Sequence, residues 1–231
     1  MPRGWMTRAF AEAIGAFALI FVGVLSISGG GIAGSPEAAS LTSVALAHGF
    51  TIAVMVAALG AISGGHFNPA VTFGFVITGR MGARLGLVYW AAQLSGATVA
   101  ALLLTGMFGL PPVEAGTPDL AGGISSGTGI VIEAVATFFL VLVIFGTAVD
   151  QRAPVAVFPL AIGLTIALDI MAIGPLTGAA MNPARAFGPA LASGHWSHHL
   201  VYWAGPLAGA AAAAFVQHGL LMERPAAATR P

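Results

Sequence analysis

The sequence predicts an all-α membrane protein: six transmembrane helices plus two re-entrant half-helices in an inverted repeat. Three observations lead there. The chain of 231 residues is 58% hydrophobic and 7% charged, whereas a soluble domain carries about 25% charged residues. Six apolar stretches follow one another along it, each of the roughly 20 residues that cross a bilayer. A motif, Gly64-Gly65-His66-Phe67-Asn68-Pro69-Ala70, returns as Gly178-Ala179-Ala180-Met181-Asn182-Pro183-Ala184.

Residues 1–8 are short and basic and run straight into the first span, 8–29. That apolar run is longer than the core of a cleavable signal peptide. The second span is 41–62. The piece 68–77 is too short to cross: ten residues at about 1.5 Å each reach about 15 Å, half of a ~30 Å hydrocarbon core. A third span, 84–106, ends the first repeat, 1–110. Residues 111–128, rich in Gly, Pro and Ser, read as an outer linker loop. The second repeat, 129–219, has spans 129–149 and 155–173, a second half-helix 182–191, and a last span 199–219. Residues 220–231 are Ala/Pro-rich and read as a disordered cytoplasmic tail. The whole forms one domain.

The repeat extends beyond the boxes. Leu46-Ala47-His48-Gly49 matches Leu160-Ala161-Ile162-Gly163, Leu87-Val88-Tyr89-Trp90-Ala91 matches Leu200-Val201-Tyr202-Trp203-Ala204, and Glu12 matches Glu133. Three spans per repeat is odd, so the second half enters upside down, with a site expected near the midplane between the halves. The chain has no Lys, and Arg3, Arg8, Arg80, Arg84, Arg152, Arg224 and Arg230 all fall on one side; Glu37, Glu114 and Asp119 fall on the other. The positive-inside rule puts both termini in the cytoplasm, with the plasma (cell inner) membrane as the expected location.

Asn caps a helix well, and Pro suits its first turn. Each box therefore reads as irregular backbone turning into a helix start, tolerated in a membrane only where buried in protein or lining water. Each such start presents about +0.5 charge, and two of them facing each other at the midplane repel cations. Asn68 and Asn182 each offer amide N–H groups to a passing water. Arg185, one turn beyond Asn182, must face water or a partner to be tolerated; Asp169 is a candidate partner for it or for the outer loop. Glu12 and Glu133 are intramembrane carboxylates suited to accept hydrogen bonds from the Gly-rich loops. The loop carbonyls of Gly64, Gly65, His66, Gly178, Ala179 and Ala180 would then line a pore. His195, His198 and His199 read as a solvated outer rim rather than a metal site.

These residues resemble those of the aquaporins, of the major intrinsic protein family, over residues 8–219. The resemblance places a constriction at His48, Ile170, Ala179 and Arg185, a set similar to that of some plant vacuolar aquaporins. It places apolar pore walls at Leu19, Leu140, Ile166 and Met181. It implies a passive channel for water, with ammonia, urea or hydrogen peroxide as further solutes and protons and ions excluded. It also implies a homotetramer in contact with membrane lipid. Ala186 after the arginine, where glycerol facilitators typically carry Asp, argues against glycerol.

The alternatives are a glycerol facilitator, or an ion-coupled secondary transporter using Glu12 and Glu133. A formal net charge of zero gives no case for nucleic acid. No catalytic spacing, nucleotide motif or Cys stands out, so neither enzyme activity nor a cofactor or metal is expected.

Overall fold

The computed structural model describes residues 3–34 and 39–222. Long helices α1 (Arg3–Ile32), α2 (Leu41–Ser63) and α4 (Ala83–Phe108) form the first half. Helices α6 (Ser126–Ile144), α7 (Phe158–Thr177) and α9 (Val201–Val216) form the second. Between α2 and α4 lies the short α3 (Pro69–Ile77), and between α7 and α9 the short α8 (Pro183–Ser193). Among the described residues there is no strand. Among the described residues, five helices, α1, α2, α4, α6 and α7, are long and apolar enough to cross a membrane. Helix α9 has 16 residues and runs on through the five-residue π turn Gln217–Leu221.

Two expectations change. Residues 111–128 are not loop throughout: they contain a short helix, α5 (Pro111–Gly116), opened by prolines that have no N–H to leave unpaired. Of the tail, Leu220 and Leu221 close the π turn after α9; residues 223–231 lie outside the described residues, as does Glu37.

Packing repeats as the sequence does. Helix α1 packs on α4, α6 on α9, and α2 on α7 across the two halves. At the last crossing, a Cβ on Gly49 would strike the carbonyl of Gly163, and one on Gly163 that of Gly49. The backbones meet directly, as small residues in membrane helices allow. Gly96 meets the Ala13 carbonyl and Gly209 the Ala134 carbonyl, the same contact in each half. Large apolar side chains such as Phe10, Val54, Leu87, Leu168 and Phe215 point outward. Such a surface suits lipid rather than water. The polar groups Glu12, Gln93, Glu133, Thr137 and Thr177 are wholly buried.

Candidate functional site

The two boxes fold alike because the same donors and acceptors recur. Asn68 and Asn182 are extended N-caps (φ −152° and −150°), and their Oδ1 atoms accept from the N–H of Ala70 and of Ala184, at 2.8 and 2.9 Å. Pro69 and Pro183 occupy the first helical turn. The residues just before, Phe67 and Met181, are left-handed at φ 49° and 51°, and Ala179 at 46°. Such backbone costs about 1–3 kcal/mol per non-glycine residue and persists only where the surroundings fix it.

Glu12 and Glu133 fix it. Glu12 Oε1 accepts from the His66 N–H (3.0 Å) and Ser63 Oγ (2.6 Å). Its Oε2 accepts from the Phe67 N–H (2.6 Å) and Gln93 Nε2 (2.7 Å). Glu133 Oε1 accepts from the Ala180 N–H (3.0 Å) and Thr177 Oγ1 (2.6 Å), and Oε2 from the Met181 N–H (2.7 Å). Tyr89 and Tyr202 donate to the carbonyls of Ser63 and Thr177, where α2 and α7 end (2.6 and 2.8 Å).

The two helix starts meet. Asn68 Nδ2 donates to the Met181 carbonyl (2.9 Å), and Asn182 Nδ2 to the Phe67 carbonyl (3.0 Å). One N–H of each carboxamide is therefore used across the two-fold, and each NH2 has a second.

Both Asn residues line a narrow lane of about 40 Å³. Leu19, Leu140, Ile166 and Met181 line it, as do His48, Ile170, Ala179, Arg185, Gly65, His66 and Ala180. It shares His48, Ile170 and Arg185 with an outer vestibule of about 410 Å³, and Gly65 and His66 with an inner one of about 180 Å³. Gly64 lines only the inner vestibule and Gly178 only the outer. The His66 ring is held by Thr72 Oγ1 at 3.1 Å and packs on Phe75 and Tyr89.

Arg185 is 6% exposed. Its Nη1 donates to the Gly116 carbonyl at 2.9 Å, and its Nε has no protein partner. His48 Nδ1 lies 2.8 Å from the Val44 carbonyl. A carbonyl only accepts, so Nδ1 carries the proton and Nε2 of the neutral ring is an acceptor. The narrow end thus has a guanidinium, an imidazole and two apolar walls.

Asp169 pairs neither with Arg185 nor with the outer loop: its Oδ2 is buried without a partner. The sequence expectation for it fails because the linker takes its bonds elsewhere: the Ala121 N–H donates to the Leu176 carbonyl at the end of α7, and Gly116, Thr117 and Asp119 bond to α8 and the loop after it. Asp119 is the carboxylate that acts at the mouth. It accepts from His195 Nε2 and His198 Nδ1, both at 2.8 Å. His199 Nε2 accepts from Trp203 at 3.1 Å. The described residues contain no group of side chains able to hold a metal ion.

Burial raises the Asp119 pKa, but hydrogen bonds from His198, His195 and the Leu120 N–H outweigh it and lower the pKa below the usual 3.8. A lowered folded value means the anchor stabilises the fold above the ordinary carboxylate range and is lost as pH falls through the folded value. Wild type should therefore melt above Asp119→Asn at neutral pH, and the gap in Tm should shrink as pH falls below the ordinary carboxylate value and close once it passes below the folded one. A gap that persists there would show that the carboxylate charge is not what anchors the linker.

Reasoning from sequence missed Ser63, Thr177, Tyr89, Tyr202, Gln93 and Asp119. Matching positions in the repeat could have pointed to the first four; Gln93 and Asp119 have no such mark.

The sequence pattern of the major intrinsic protein family matches residues 4–217. The chain belongs to that family. Aquaporin TIP4-4 of Zea mays is 44% identical over 228 residues, covering 95% of this chain and 88% of that one. Aquaporin TIP2-1 of Arabidopsis thaliana is 44% identical over 187 residues, covering 79% and 73%. Among solved structures, the aquaglyceroporin from Plasmodium falciparum superposes with a TM-score of 0.82 at 22% identity, covering 94% of this chain and 97% of that one. That last likeness bears on fold alone. This major intrinsic protein is a multi-pass membrane channel of the aquaporin kind, and not an enzyme.

Proposed function

We propose that the chain is a passive water channel that excludes protons and ions, with ammonia, urea or hydrogen peroxide as further neutral solutes. One observation carries this: two capped helix starts face each other across a lane of about 40 Å³. A lane of this size has room for water. Each Asn offers its remaining N–H to the water oxygen between them. A water so held donates outward on both sides and cannot relay a proton. The two positive helix ends add an electrostatic barrier to any cation. Apolar walls give the passing water few competing partners.

His48, Ile170, Ala179 and Arg185 form the selective end, and the carbonyls of Gly65, His66, Ala179 and Ala180 supply acceptors along the lane. Glu12 and Glu133 support the loops. Both carboxylates are fully buried and already bonded to loop donors, which disfavours them as ion-coupling sites. Arginine placement supports cytoplasmic termini; the TIP-type relatives lend the plasma-membrane expectation no support. The outward apolar faces fit lipid and a homotetramer.

Purified protein in liposomes should speed osmotic shrinkage with a low activation energy and no dependence on a proton gradient. Saturable flux that follows the proton gradient would overturn this reading in favour of a transporter.

A further inference from the structure

We infer that Gly23, on α1, sets the width of the selective end by fixing how far the His48 ring withdraws from the lane. The inference rests on His48 being a wall of the constriction, as proposed above. Gly23 is not left-handed, so the backbone does not require glycine there. What requires it is space. A Cβ at this position would lie 2.5 Å from His48 Nε2 and 3.0 Å from Cδ2 and Cε1. Non-bonded atoms settle at about 3.5–4.0 Å. The tip of the ring therefore occupies the volume that any side chain at position 23 would take.

The other end of the ring is tethered through Nδ1 to the Val44 carbonyl at 2.8 Å. His48 is 3% exposed and sits among packed helices, where interiors leave few voids. The open spaces it borders are the lane and the outer vestibule. The Nδ1 tether opposes rotation outward, so a side chain on α1 drives the ring into the lane by roughly 1 Å. In a lane one water wide, that narrows the route for water and closes it to urea. Gly23 is a positioning residue: it touches no permeant molecule and acts through His48.

The test uses full-length wild type, Gly23→Ala, His48→Ala and the double variant in liposomes, with water and urea permeability measured per inserted protein. Gly23→Ala should lower water permeability by about tenfold. In the His48→Ala background the same change should have no effect, a coupling that a purely structural role would not give. Wild-type flux in Gly23→Ala, or equal losses in both backgrounds, would overturn the inference. So would failure of Gly23→Ala to insert, with or without rescue in the double variant, since the ring would then not have yielded. The constriction reading fails separately if His48→Ala leaves the urea-to-water ratio unchanged.

Discussion

Arg185→Val is expected to pass urea faster and to admit monovalent cations while water flow persists. The guanidinium is the single cationic group on the lane. It is held from one side by the Gly116 carbonyl at 2.9 Å, with Nε unpartnered. A cation passing about 4 Å away meets a repulsion of up to about 4 kcal/mol at an effective dielectric of 20. Valine removes that charge and shortens the side chain, so the narrow end widens as it is neutralised. Urea permeability should rise about tenfold or more. Proton leak should rise less than sodium or potassium leak, because a water held between Asn68 and Asn182 still cannot relay a proton. Solute uptake and ion flux in the same liposomes check this. Unchanged selectivity would remove Arg185 from the constriction.

Glu133→Leu should prevent assembly rather than alter selectivity. It strands the Ala180 and Met181 N–H groups and the Thr177 hydroxyl. Each buried unsatisfied group costs about 1–3 kcal/mol, so the sum approaches the roughly 5–15 kcal/mol that holds a typical protein together. Left-handed Met181 loses the bond that holds it, and left-handed Ala179 is weakened through Thr177, whose hydroxyl accepts its N–H. Glu133→Gln keeps an acceptor oxygen and should fall between. Glu12→Leu should cost more, since Glu12 also binds Gln93 at 2.7 Å. Folded yield and Tm in detergent read the order. A Leu variant that melts with wild type would show that the loops stand without the carboxylates. A Gln variant that folds normally yet loses proton-gradient coupling would point to a transporter.

The sequence was most informative where structure repeats locally. The spans, the box helices and the Glu pair each follow from apolar length, capping residues or register. It was least informative where contacts join distant segments. The segment 111–128 has no apolar period, so neither its short helix nor the return of Gly116 to Arg185 is written in it. The Asp119 pairing spans 76 and 79 residues and leaves no local mark. Asp169 stood out as an intramembrane carboxylate, and the structure gives its Oδ2 no partner. Gly23 reads from sequence as one more small helix residue; only the neighbouring ring gives it meaning.

The exchange of amide bonds between Asn68 with Met181 and Asn182 with Phe67 has a consequence for how the molecule comes into being. Neither half contains both the donor and the carbonyl it serves. A ribosome that has released only residues up to the linker has made a half-site whose key group waits for chain not yet synthesised. The midplane junction is therefore a late event in biogenesis, closed only when the second half has inserted in the reverse sense beside the first.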